Sequence, residues 1–187
     1  MKKNNKQRLF EMMQKINPEF ILKENFVPRS VNTNTTRSVS TDVEFLDLHK
    51  KYVQTNDWKK PNGLWYQINN SWVNLCVKYN KDAELHKIKP HYAFEIKNYN
   101  IKINVDLTNV IILDTRDKVI EFSEKYGNGE FFINWIDVAN DYKGIEIPNY
   151  KNVNFYKWMN GWDISSGCIW DLSIIRNYNI NNCEIIK

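Results

Sequence analysis

The apolar residues of this chain arrive in runs too short for buried helices, and helical patterns are spelled out between them. Leu64–Ile68, Val110–Leu113, Gly144–Ile147 and Cys168–Trp170 are brief β-branched or aromatic stretches, the signature of strands bounded by turns. Lys60-Pro61-Asn62-Gly63 places Pro and Gly where a tight turn wants them, just before the first run. The next segment reads as a helix with Val73, Cys76 and Val77 on one face. Thr115 caps a helix running to Tyr126, with Val119, Phe122 and Tyr126 inward and Gly127 as its stop. A shorter helix spans roughly Trp135–Tyr142. The alternation in His91–Lys97 predicts a strand, a first strand enters near Arg37, and Ile180 lies on a last one. The polar, aromatic residues 149–162 read as a surface loop carrying Trp158 and Trp162. Short strands with helices segregated between them define an α+β fold, expected as split antiparallel sheets with a few flanking helices. At 187 residues and 22.4 kDa the chain has room for one such core.

Charge divides the chain. The formal net charge is +4, but residues 1–37 carry eight basic and three acidic side chains, leaving 18 basic and 19 acidic for the rest. The excess therefore belongs to an N-terminal arm of 8 − 3 = +5 on a body of 18 − 19 = −1. Residues 7–16 repeat Leu9, Met12, Met13 and Ile16 at helical spacing. Residues 1–35 are read as a basic helical extension and linker, and residues 36–187 as the domain. No stretch reaches the roughly 18 apolar residues of a membrane span, and Glu11, Gln14 and Lys15 interrupt any signal-peptide core. No membrane partner is expected. Cys76, Cys168 and Cys183 form no CxxC and no short Cys/His spacing, which argues against a disulfide framework and a zinc site. These features place the chain in a reducing cytosol, that of a host if it is delivered or virally encoded.

The familiar phosphate-binding, zinc-protease and nucleophile-elbow motifs are missing. His91 and Glu95 share a strand face and suit an acid–base pair or half a metal site, with no third ligand evident, so no metal is assigned. Trp65, Tyr66, Trp72, Trp158 and Trp162 are suited to stacking a flat ring and equally to filling a core. Glu146 alternates with Ile145 and Ile147 and so points away from both, toward solvent or a cleft. Asp163 follows Trp162 in a loop, where it suits a turn as well as a site. Arg37 is a planar fork for phosphate or carboxylate, or a surface residue.

Read in order, three stretches resemble the ADP-ribosyltransferase fold of the poly(ADP-ribose) polymerases and bacterial ADP-ribosylating toxins. Gly63-Leu64-Trp65-Tyr66 followed by Ser71-Trp72 looks like that family's nicotinamide-contacting strand and helix. Asp141-Tyr142-Lys143-Gly144-Ile145-Glu146-Ile147 resembles the run preceding its catalytic strand. Gly167–Ile175 is similar to the catalytic strand itself, with Ser166 or Gly167 where the family has its Glu. The first strand offers Arg37-Ser38, similar to the toxin arrangement. The resemblance implies transfer of ADP-ribose from NAD to a protein or nucleic-acid acceptor. It implies that Glu146 or Asp163 supplies the catalytic carboxylate, and that Arg37, Ser38, Gly63, Tyr66, Ser71 and Trp72 hold NAD. The alternative is a noncatalytic module binding NAD, a nucleotide or nucleic acid on the same fold.

Overall fold

The computed structural model describes residues 35–56, 59–87 and 95–185, the last six of these by backbone alone. The chain divides between Thr33 and Asn34, and every described residue lies in the second part. The expected helix over residues 7–16 and His91 fall outside the described residues.

Seven strands form one hydrogen-bonded sheet. They are β1 (Arg37–Thr41), β2 (Leu64–Ile68), β3 (Tyr99–Val105), β4 (Val110–Ile112), β7 (Gly144–Ile147), β8 (Ser166–Ile169) and β9 (Ile175–Ile185), in the order β4-β7-β8-β2-β1-β3-β9. β5 (Gly127–Asn128) and β6 (Phe132–Ile133) make a separate two-stranded ribbon. The helices are α1 (Ser71–Leu85), α2 (Arg116–Tyr126), α3 (Trp135–Asp141) and α4 (Tyr150–Val153). The protein is thus α+β, but its main sheet is continuous and mixed where split antiparallel sheets were expected. β4 and β7 run parallel, and a parallel pair needs a long crossover, which α2 and α3 supply. Thr115 caps α2 as the sequence predicts, its Oγ1 accepting from the Lys118 amide at 3.4 Å.

Because side chains alternate along a strand, the register sorts them into two layers. The first holds Val39, Tyr66, Ile68, Ile101, Ile103 and Ile169, covered by Leu46 and by the turn Leu172–Ile174. The second holds Ile145, Ile147 and Cys168, packed under Val119 and Phe122 of α2, Trp135 and Val138 of α3, and Val153 of α4. Trp158 and Trp162 are 1% and 2% exposed and belong to this second core, which corrects their reading as surface residues. Among the described residues, one of the two indoles has a hydrogen-bond partner. Trp158 Nε1 donates to Ser123 Oγ at 2.9 Å.

Of the strand expected at 91–97, residues 91–94 lie outside the described residues. Residues 95–97 are not strand, and β3 begins at Tyr99. Along β3, Ile101, Ile103 and Val105 are buried in the first layer, and the strand pairs with both β1 and β9.

Candidate functional site

β2 passes into α1 through two consecutive left-handed residues, Asn69 at φ 52° and Asn70 at φ 56°. Asn tolerates this region better than most residues. The turn leaves Gln67 to cap the helix, its Oε1 accepting from the amides of Trp72 at 2.9 Å and Val73 at 3.1 Å. Gln67 Nε2 donates to Asn100 Oδ1 at 2.8 Å, and Asn100 Nδ2 to Asn70 Oδ1 at 3.1 Å. This buried amide chain satisfies its members and fixes the start of α1, and with it Ser71 and Trp72.

A second loop approaches that helix start. Asp163 has φ 66°, an uncommon conformation for a residue with a Cβ. Surrounding bonds hold it there: Ser165 O accepts from Ser71 Oγ at 2.6 Å and from the Ile68 amide at 3.2 Å, while Ser166 Oγ donates to Ile164 O at 3.2 Å. Between loop and helix opens a cleft of about 440 Å³ whose lining includes Ser40, Lys60, Trp65, Trp72, Trp162 and Asp163. Its size suits a small-molecule ligand.

The cleft has a rigid aromatic wall. Trp65 and Trp162 meet edge to face at 4.8 Å between centroids, and Trp162 meets Trp158 at 6.1 Å, so the wall continues into the second core. Lys60 Nζ lies 5.3 Å from the Trp65 ring centroid, a cation–π contact. Burial lowers the Lys60 pKa, and the charge of Asp163 opposes that shift. The residue is exposed along much of its length while its ammonium is partly desolvated against the cleft. Of the groups lining the cleft, Ser40 Oγ and Trp162 Nε1 have no hydrogen-bond partner among the described residues, the latter in a residue 2% exposed. Buried polar groups are normally paired. Below them Ser38, also buried, has an unpaired Oγ. Cys168 lies behind the wall, its thiol pKa pushed well up by burial, which makes it a packing group and a poor nucleophile.

The opposite face of the sheet carries the other nominated residues. Glu146 points away from Ile145 and Ile147, as alternation requires, but it enters the first apolar layer and is 2% exposed. Arg37 Nε donates to Glu146 Oε2 at 2.6 Å and Nη2 to Oε1 at 2.9 Å, and Tyr66 OH donates to Oε2 at 2.7 Å. The three come from β1, β2 and β7. What lets them meet is Gly167 on β8, which pairs with both Tyr66 and Glu146. A Cβ on Gly167 would stand 2.3 Å from Tyr66 Cζ and OH. The tyrosine ring thus crosses over a bare backbone. Burial, then the neighbouring Glu146, holds the Tyr66 phenol well above its ordinary pKa. Burial pulls the Arg37 pKa down, but the hydrogen bond and charge of Glu146 outweigh it and the net shift is upward.

The predicted residues therefore fall into two groups that the sheet separates. Arg37, Tyr66 and Glu146 converge on one side. Trp72 and Asp163 face the cleft on the other, with Ser71 tying the helix start to the loop beside it. Ser38 lies on the cleft side but beneath its surface. Gly63 stands apart, its Cα pressed so closely on β8 that a Cβ would fall 2.5 Å from Cys168 Sγ. Glu95 lines the cleft. Lys60 and Gln67, which line the cleft, were not nominated from the sequence.

Fold and cleft together define an α+β protein with a tryptophan-lined, cation-bearing pocket on one face of a mixed sheet. Comparison with protein-family models, with curated proteins and with solved structures finds no match. No helix among the described residues is long and apolar enough to cross a membrane.

Proposed function

We propose that this cleft binds a nucleotide through its flat ring and anionic groups, that the nucleotide is NAD, and that the protein transfers ADP-ribose from it. The observation that carries the reading is the combination lining one pocket: indoles, a cation and a carboxylate, with unpaired buried polar atoms beside them. Indoles stack flat rings. Lys60 suits a phosphate oxygen, and the free Ser40 hydroxyl and Trp162 N–H suit the polar edge of a ligand.

Transfer breaks the bond between ribose C1′ and the nicotinamide nitrogen, whose electron pair leaves with nicotinamide. A bond then forms from C1′ to a nucleophilic atom of the acceptor, which gives up its proton. Positive charge grows on the ribose between these events, and a fixed carboxylate beside it lowers the barrier. Of the two carboxylates nominated from the sequence, Asp163 is the one that faces the cleft. Glu146 already accepts three hydrogen bonds and has almost no surface to offer. The role passes to Asp163, and the Arg37–Glu146–Tyr66 cluster becomes a brace of the sheet.

The test is release of nicotinamide and transfer of label from NAD into lysate protein or nucleic acid, beside titration of NAD against tryptophan fluorescence. Asp163→Asn should leave NAD affinity within about threefold and reduce turnover by about 10²–10³, the loss of one preorganised transition-state group. Saturable NAD binding with no turnover under any acceptor would overturn the transfer and leave the binding module. Failure of any nucleotide to quench the indoles would remove both.

A further inference from the structure

A second cleft, of about 570 Å³, opens on the other side of the Asp163 loop, and Asp163 and Ile164 line both. Its character is different. Where the first is walled by indoles, the second is lined by Lys78 of α1, Lys151 of α4, and the carboxamides of Asn74, Asn149 and Asn152. Lys78 and Lys151 are exposed and make no ion pair among the described residues, unlike Lys97, Lys118 or Lys143, which each hold a carboxylate. Two uncommitted ammoniums, rooted in different helices and flanking one pocket, fit an anion with more than one charged group. Carboxamides donate and accept at once, which suits the mixed edges of a nucleobase better than a bare phosphate does. The volume admits about one nucleotide of a strand and no duplex. The basic excess of residues 1–36, seven cationic side chains against three acidic, favours the same class of partner.

We infer that this second cleft is the acceptor site and that the acceptor is single-stranded nucleic acid, with Lys78 and Lys151 meeting its phosphates. The name acceptor site rests on the proposed transfer; the binding does not. Asp163, on the ridge shared by both clefts, is where a donor ribose and an acceptor nucleophile come closest to one another.

The experiment uses the full chain and fluorescence anisotropy with labelled 12-nucleotide oligo-dT and oligo-U, with a phosphoserine peptide as comparison. Lys78→Glu/Lys151→Glu, and the milder Lys78→Ala/Lys151→Ala, are checked by circular dichroism and by NAD titration. The charge-reversed variant should bind either oligonucleotide at least about tenfold more weakly. The salt dependence of the alanine variant should be shallower by about 1.4, from about 0.7 per phosphate contact on a single strand. NAD affinity should not change. If NAD fails to bind while oligonucleotide binding depends on these lysines, the second cleft stands and the proposed function falls. Wild-type affinity in both folded variants, absence of oligonucleotide binding, or lysine-dependent binding of the phosphopeptide alone would overturn the assignment.

Discussion

The two faces of the sheet handle buried polarity in opposite ways. On the first face a full charge pair is taken into an apolar layer and held by partners on both carboxylate oxygens: Arg37 and Tyr66 donate three hydrogen bonds to Glu146. On the second, Ser38, Ser40 and Trp162 keep polar atoms with no partner among the described residues. A buried charge with a partner on each carboxylate oxygen belongs to the framework of the sheet, whereas an unpaired donor beside a cleft is open to a further partner. The difference teaches that perturbed titration marks buried structural pairs as readily as sites.

The sharpest way to break this contrast is Glu146→Gln. It removes the partner of a guanidinium whose side chain is only 12% exposed, and an orphaned buried charge costs about 3–5 kcal/mol. Urea unfolding should show that loss, while turnover and NAD affinity per folded molecule stay near wild type. Unchanged stability with abolished turnover would return Glu146 to the catalytic role. Gly167→Ala should come next. Its methyl group cannot coexist with the Tyr66 ring at 2.3 Å, so the ring must leave Glu146, at about 2–3 kcal/mol for overpacking and the lost bond. A midpoint unchanged in urea would mean that the ring does not need the bare backbone.

Much of the fold was legible because it obeys local rules. The Thr115 cap and the α2 face of Val119, Phe122 and Tyr126 depend on residues within a few positions of one another. Which of the nominated residues share a side of the sheet was not legible. Alternation placed Glu146 opposite Ile145 and Ile147, and that was correct, but whether the far side is water or a second core depends on what covers it. The covering residues, Leu46 and Leu172 among them, are remote in sequence from Glu146. Likewise nothing local to Trp158 distinguishes an exposed indole from one packed on Phe122, 5.5 Å away between centroids.

Tyr66→Phe probes the satisfied face more gently. Losing a hydrogen bond to a carboxylate that keeps its arginine should cost about 1.5 kcal/mol near neutral pH. Its pH dependence carries more information. Burial keeps the folded phenol protonated well above its ordinary value of 10.0. Above that pH the unfolded chain releases a proton that the folded chain retains, so stability falls as pH rises toward the folded pKa. The wild-type urea midpoint should therefore drop between about pH 9 and 11 more steeply than that of Tyr66→Phe. Parallel curves for the two proteins would show that Tyr66 is not the group held neutral.

Ser40→Ala tests the unsatisfied face and should have the smallest effect on folding. With no partner for its hydroxyl among the described residues, the truncation breaks no bond and relieves a desolvated oxygen. Stability should stay within about 0.5 kcal/mol of wild type or rise slightly. The same change should weaken nucleotide binding by roughly 2–12-fold, the value of one ordinary hydrogen bond of about 0.5–1.5 kcal/mol. This opposite sign is what separates the two faces: on the Glu146 side a lost polar group is paid in stability, and on the cleft side in affinity. A Ser40→Ala protein that unfolds more easily and binds NAD as before would place its hydroxyl in the framework, and the contrast would fail at that residue.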